Sequence, residues 1–409
     1  MHHSGPIVIA GGGLAAHRAA EGLRTAGFDG RVVVVTSEPH RPYDRPPLSK
    51  TFLRAEQTRE ALFYRTPAVY ASQDIEMRLS TTVVALHPAE HTVALSDGQS
   101  LLYHRLLIAT GAAPRRLSIA GGALAGVHYL RTLEDAEQLS RALQAAGRVV
   151  VVGAGFIGSE VAASARQMGL DVTVLEVEEV PLLRALGPEI GAVYAGLHRD
   201  RGVTVLTSEG IAEIRGHGRV EEVITTTGRG LPCDVAVIGV GVRPNTDWLD
   251  GSGIALANGV LVDERCRTCL PDVFAAGDVA CWPYAREGQH IRVEHWDNAS
   301  NQGAHVAQAL MDRPGPYQPI PYFWSDQYDV NMQYVGHAAE WDHVVLRGDV
   351  TAPSFTAFYL KRRRVSAALV VNRPRDLRPC RRLIEQGGDV EPDALASEAT
   401  DLRRLAAAG

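Results

Sequence analysis

Two glycine turns constrain this chain more than any other feature. Gly11-Gly-Gly13-Leu-Ala-Ala16 follows the apolar run Ile7-Val8-Ile9-Ala10, and Gly153-Ala-Gly155-Phe-Ile-Gly158 follows Val149-Val150-Val151-Val152 about 140 residues later. Each pattern predicts a buried strand, a tight turn and a helix. The first glycine permits the turn, the second lets a pyrophosphate approach the backbone, and a small third residue lets helix and strand pack closely. Helical spacing from Ala15 to Ala26 and a strand from Val32 to Thr36 complete the first unit, with Glu38 placed to accept hydrogen bonds from a ribose. A strand from Val172 to Leu175 ending at Glu176 repeats the arrangement. The expected class is α/β, with two Rossmann-like dinucleotide-binding domains, a glutathione reductase-like plan and a C-terminal α+β domain, and two dinucleotides are expected.

Length and charge agree with this. At 409 residues, 45% apolar and a net charge of −6, the chain has material for two or three cores and lacks the broad basic face of a nucleic-acid binder. No apolar run approaches the ~18 residues of a membrane span. Met1 to Pro6 run almost directly into the first strand, so no signal peptide is expected and the cytoplasm is the expected location. His2 and His3 read as a chain end and not as metal ligands.

Of 41 basic residues only Lys50 and Lys361 are lysine. Lys50 closes Arg45-Pro-Pro-Leu-Ser-Lys50, where a compact ammonium would reach a buried partner that a planar guanidinium fits poorly. Cys266 and Cys269 form one C-x-x-C without a second pair or neighbouring histidines, half of a zinc site at most. They are expected to be structural; no metal is expected.

Further motifs resemble the FAD-dependent ferredoxin reductases that serve dioxygenases and haem-thiolate monooxygenases, within the pyridine-nucleotide oxidoreductases. Besides the glycine turns and the Arg45 to Lys50 stretch, the likeness includes Ala-Thr-Gly at 109 to 111, Leu-Arg-Thr at 130 to 132 and Gly-Phe-Ile-Gly-Ser-Glu at 155 to 160. It continues through Gly-Val-Gly-Val-Arg-Pro-Asn at 239 to 245, Phe-Ala-Ala-Gly-Asp-Val at 274 to 279, Glu-His-Trp at 294 to 296 and Phe-Trp-Ser-Asp-Gln-Tyr at 323 to 328. Disulfide reductases of similar plan need cysteines after the first turn. Residues 38 to 60 contain none.

The resemblance implies that Gly11, Gly13, Leu14, Ala15, Glu38, Arg45, Lys50, Val83, Thr110, Gly111, Arg131, Asp278 and Trp296 meet FAD. Asp278 would bond the ribityl chain, cap a helix, or do both. Gly153, Gly155, Ile157, Gly158, Glu176 and Gly241 would serve the nicotinamide dinucleotide. No arginine follows Glu176 until Arg184, so a 2′-phosphate would meet negative charge and NADH is expected over NADPH. The resemblance also implies that Lys50 and Glu160 form a catalytic charge couple beside the flavin; Glu160 would otherwise only steady a helix N-terminus.

The expected plan places an FAD-binding domain at 1–115 and 244–320, an NAD-binding domain at 116–243 and a C-terminal domain at 321–409, after a proline-rich linker from Pro314 to Pro321. Strands are expected at Phe355 to Leu360 and Val365 to Val371, with a helix near Asp376 to Gln386. Trp324 would face the flavin or an interface. The implied partner is a [2Fe-2S] ferredoxin feeding an oxygenase, docked transiently through Arg41, Arg45, Arg54 and Arg65 or through Lys361 to Arg364; the implied assembly is a monomer or weak homodimer. Rubredoxin or monodehydroascorbate reductases, and NADH-responsive binding flavoproteins resembling apoptosis-inducing factor, share the same plan.

Overall fold

Both apolar runs beside the glycine turns become central strands of parallel sheets. The computed structural model describes residues 5–313 and 315–408, so His2, His3 and Pro314 lie outside the described residues. The chain divides into two units, the first made of the described residues of Met1–Asp44, Glu60–Ala113 and Arg243–Pro321, the second of Arg45–Arg59, Pro114–Val242 and Tyr322–Gly409.

In the first unit five parallel strands run in the order Val273–Ala275, Arg105–Ile108, Ile7–Ala10, Val32–Val35, Ile75–Arg78. Ile7–Ala10 and Val32–Val35 are buried throughout, as strands covered on both faces must be. The Leu14–Thr25 helix packs against the Trp296–Ala309 helix so closely that small residues are required: a Cβ on Gly303 would sit 2.5 Å from the Ala15 carbonyl oxygen, and one on Gly22 would sit 2.7 Å from the Ala307 Cβ.

The second unit repeats the sheet. Its order is Thr204–Leu206, Asp171–Leu175, Arg148–Val152, Val235–Ile238, Val127–His128, all parallel. Counting from the strand that leads into the glycine turn, each sheet has its second and third strands on one side and its fourth and fifth on the other. Each also carries a three-stranded antiparallel insert between the third and fourth strands, at Val83–Leu102 and Ile211–Pro232. The copies differ in that the fifth strand is last in the chain in the first unit and first in the second.

The second unit also contains a five-stranded antiparallel sheet, in the order Tyr322–Gln327, Val330–Gly336, Arg364–Val371, Ser354–Lys361, His343–Asp349. Ser354–Lys361 and Arg364–Val371 contain the two strands expected from an alternating pattern, although their side chains are almost continuously buried. His343–Asp349 is an exposed edge strand without strong alternation, and Tyr322–Gln327 turns the polar Ser325 and Gln327 inward, so neither has an apolar strand signature. The helix expected near Asp376 to Gln386 runs Pro374–Gln386. One apolar cluster joins Leu186, Ile190 and Tyr194 to Phe355, Tyr359 and Leu369, so the sheet packs on the Leu183–Asp200 helix.

Candidate functional site

Gly11 and Gly153 take positive φ, 123° and 97°, and a Cβ on either would fall within 2.0 to 2.4 Å of a carbonyl oxygen of the neighbouring strand end, Ala109 or Gly239. Those turns therefore demand glycine. A Cβ on Gly158 would lie 2.0 Å from the Gly153 oxygen, so the helix start is pressed onto its own turn; the first turn accommodates the buried Ala16 there. Gly12, which the fingerprint leaves unspecified, is also confined: its Cβ would lie 2.5 Å from the Thr36 hydroxyl.

Gly13 and Gly155 behave differently. Each is the N-cap of a 12-residue helix, neither helix is capped by a side chain or carries an acid in its first turn, and a Cβ on either would meet no protein atom within 4 Å. Backbone N–H groups at an uncapped helix start, facing space held open by a side-chain-free residue, suit a phosphate. Beside the second turn Ile157 and Val177 are 48% and 65% exposed and leave apolar surface open there. Val177 carried no sequence signal.

Glu176 is buried and both its oxygens are engaged. Oε2 accepts the Ala154 N–H at 2.6 Å and Oε1 accepts the Glu178 N–H at 3.0 Å. Each oxygen keeps a further lone pair for a ribose hydroxyl. Arg184, the nearest downstream arginine, pairs with Glu178 at 2.7 Å. In the first unit Glu38 accepts from the Tyr43 hydroxyl.

The remaining first-unit candidates gather around the same sheet ends. Thr110 donates to the Asn245 carbonyl at 2.9 Å, Asn245 Nδ2 donates to the Thr110 carbonyl at 2.8 Å, and the Asn245 N–H reaches the Gly111 carbonyl at 3.0 Å. Asn245 was quoted in a motif without a role; here it locks that loop. Asp278 follows Gly277, whose N–H donates to buried Gln302 at 2.8 Å. The chain then enters the Ala280–Tyr284 strand, so Asp278 caps no helix. Trp296 opens its helix with Nε1 2.7 Å from Asp44 Oδ1, and Val83 lies buried at a strand start beside a bulge.

In the second unit Arg45 donates to the Arg131 carbonyl at 2.7 Å, and Asp135 and Thr132 form a capping box just beyond. Gly241 has φ 94° and accepts the Arg115 N–H through its carbonyl at 2.9 Å. Trp324 stacks beside Tyr322 on the Tyr322–Gln327 strand.

Lys50 and Glu160 come together. Lys50 Nζ lies 2.7 Å from Glu160 Oε2, and the carboxylate is 3% exposed. Ser49 donates to the same oxygen at 2.5 Å, and Ser325 donates to Oε1 at 2.6 Å. Burying an ion pair is costly unless its lone pairs are satisfied, and here three donors from two separate segments satisfy them. Both serines stood in quoted motifs, but nothing in the sequence indicated that they would meet at Glu160.

Two sequence expectations narrow. The basic turn from Lys361 to Arg364 is matched by acids: Lys361 pairs with Glu340, Arg363 with Glu391 and Arg364 with Asp389, and the Arg362 N–H donates to Asp342. Little net charge is left there for a partner. Cys266 and Cys269 are both unlinked; burial pushes the Cys266 thiol up to about 12, away from the thiolate that redox chemistry needs.

Residues 5–303 match the pyridine nucleotide-disulphide oxidoreductase family, and residues 322–406 match the reductase C-terminal family. The chain belongs to the pyridine nucleotide-disulphide oxidoreductases. It is 36% identical over 414 residues to putidaredoxin reductase CamA of Pseudomonas putida, covering 100% of this chain and 98% of that protein. It is 40% identical over 402 residues to the anthranilate 1,2-dioxygenase system ferredoxin–NAD(+) reductase component of Burkholderia cepacia, covering 97% and 98%. Among solved structures, the covalent putidaredoxin reductase–putidaredoxin complex matches with a TM-score of 0.96 at 36% identity, covering 99% of this chain and 98% of that one. This oxidoreductase therefore uses FAD and a pyridine nucleotide. Among the described residues no helix is long and apolar enough to cross a membrane.

Proposed function

We propose that this oxidoreductase is an NADH:ferredoxin reductase that supplies single electrons to a [2Fe-2S] ferredoxin serving an oxygenase. The observation that carries the reading is the buried Lys50–Glu160 ion pair, whose lysine stands after the first glycine turn where a disulfide reductase would need cysteines. With both cofactors bound, the chemistry they supply is hydride transfer from NADH to FAD and one-electron release to an iron–sulfur acceptor.

The protein's own work is alignment and charge. Gly11, Gly13, Leu14 and Ala15, with Glu38, Arg45, Lys50, Val83, Thr110, Gly111, Arg131, Asp278 and Trp296, hold FAD, and all of these but Arg131 lie in an FAD-binding domain of residues 1–115 and 244–320. Gly153, Gly155, Ile157, Gly158, Glu176 and Gly241 hold NADH in a domain of residues 116–243, and residues 321–409 form the C-terminal domain, where Trp324 serves the flavin. Glu160 lies one helical turn beyond the pyrophosphate-binding start of its helix, so with Lys50 it orients the nicotinamide end of the dinucleotide. Glu176 selects NADH because its carboxylate accepts from a ribose hydroxyl and repels a 2′-phosphate, and Arg184, the first arginine after it, is already paired with Glu178.

An acceptor panel under steady NADH supply tests this reading. We expect rapid reduction of a [2Fe-2S] ferredoxin, with rubredoxin, ascorbyl radical and small disulfides slow. Slow turnover with every ferredoxin offered would favour a binding flavoprotein whose conformational state NADH sets. The cytoplasm is the compartment proposed for this chemistry.

A further inference from the structure

The Lys50–Glu160 pair is the inner end of a longer polar chain within the second unit. Ser325 and Gln327 project inward from the Tyr322–Gln327 strand, and both are buried. Gln327 Nε2 lies 3.4 Å from Ser325 Oγ, and its Oε1 lies 3.1 Å from His198 Nε2. His198 Nδ1 in turn lies 2.9 Å from the Tyr328 hydroxyl.

One assignment of protons satisfies all these contacts. A carboxylate only accepts, so the Ser325 hydroxyl donates to Glu160; its oxygen can then take the amide proton of Gln327. The amide oxygen must accept, so His198 carries its proton on Nε2, and Nδ1 is left to receive the Tyr328 O–H. A neutral imidazole is required. Burial enforces it, lowering the His198 pKa to about 4. The donors therefore run one way, from Tyr328 through His198, Gln327 and Ser325 to Glu160.

We infer that Tyr328, His198, Gln327 and Ser325 form a positioning device by which the reductase C-terminal segment fixes the Glu160 carboxylate in register with Lys50 and thereby sets the geometry of hydride transfer. This rests on the roles proposed above for Lys50 and Glu160. A purely structural strand would gain more by burying apolar side chains at 325 and 327, because each buried polar group costs desolvation that its hydrogen bonds only offset. Chains of donors aligned in one direction also reinforce one another, which stiffens the last member.

The test uses the FAD-loaded enzyme and four variants: Ser325→Ala, Ser325→Thr, Gln327→Leu and Glu160→Gln. Anaerobic stopped-flow separates the limiting rate of flavin bleaching from the NADH dissociation constant, and infrared spectroscopy follows the carboxylate band that Glu160→Gln identifies by removing it. We expect Ser325→Ala to lower the limiting rate about tenfold, or ~1.4 kcal/mol, to leave NADH affinity within about twofold, and to shift the Glu160 band. Ser325→Thr, which keeps the hydroxyl, should restore both. Gln327→Leu should lower the rate by roughly threefold, because Ser325 keeps its donor but loses its orienting neighbour; it carries the test if Ser325→Ala does not fold. An unmoved carboxylate band in Ser325→Ala, or in its absence Gln327→Leu, overturns the inference, as does an unchanged limiting rate. A wild-type flavin that NADH fails to bleach overturns the functional reading itself, whereas normal wild-type bleaching with unaffected variants overturns only the positioning device.

Discussion

Glu176 reaches from the end of the Asp171–Leu175 strand to accept the Ala154 N–H at 2.6 Å, so the acid expected to hold a ribose also braces the second glycine turn. The two roles share a carboxylate. Glu176→Gln can replace at most part of this bonding, because an amide offers one acceptor oxygen where the acid offers two. Losing a charge-assisted bond costs about 1.5–3 kcal/mol, so NADH affinity should fall roughly 10- to 100-fold. The preference for NADH over NADPH should shrink with it. Dissociation constants for both nucleotides, measured by titration of the FAD-loaded protein, check this; an unchanged ratio would remove Glu176 from coenzyme selection.

The glycines separate fold from ligand binding. Gly158→Ala puts a Cβ 2.0 Å from a backbone oxygen, so the helix must shift and stability should fall by about 2 kcal/mol or more. Gly155→Ala and Gly13→Ala put theirs in open space at ordinary negative φ, and each should cost the fold less than ~1 kcal/mol. Their effect should appear in the cofactors instead: Gly13→Ala should purify with less FAD, and Gly155→Ala should keep FAD but bind NADH more weakly. Flavin absorbance per protein and NADH titration distinguish the cases.

Most of this was legible beforehand because both turns are local. The four residues that end each strand are apolar and buried, and Gly11, Gly153 and Gly158 are dictated by backbone contacts within the motif or with the adjacent strand end. The Lys50–Glu160 pair could be anticipated from the rarity of lysine and from family resemblance. Ser49 and Ser325 could not: they reach Glu160 from 111 and 165 residues away, and a serine signals no particular partner. The same holds for Tyr322–Gln327, whose inward polar residues obscure its strand pattern, and for Val177, which looks like an ordinary strand-end aliphatic until its exposure is seen.

Breaking the ion pair should cost more than removing it. Lys50→Met leaves the buried Glu160 carboxylate without its cation, and loss of one partner from a buried pair typically costs ~3–5 kcal/mol. Glu160→Gln in the same chain removes the stranded charge. The double variant should therefore be more stable than the sum of the two single changes predicts. Urea unfolding of the four proteins measures the coupling; simple additivity would mean that the two residues do not interact in solution.

Acid should destabilise the fold through two buried histidines. Burial lowers the pKa of His17 and of His198 to about 4, against 6.5 for the free side chain. The unfolded chain thus binds more protons than the folded one between those values, and stability is complete above pH ~6.5 and falls as pH drops toward 4. At roughly 1.4 kcal/mol per pKa unit, each contributes on the order of 3 kcal/mol to the loss. His198→Gln should flatten the pH dependence of the unfolding midpoint between pH 6.5 and 4; an unchanged slope would mean that His198 is protonated in the folded protein.

The most direct test of the account is a single-turnover experiment: mix the FAD-loaded protein anaerobically with NADH or NADPH in a stopped-flow spectrometer, then with an oxidised [2Fe-2S] ferredoxin. NADH should bleach the flavin rapidly, NADPH much more slowly, and the reduced flavin should pass its electrons quickly to the ferredoxin. Equal bleaching by both nucleotides, or rapid bleaching with no transfer to any ferredoxin, would contradict the account.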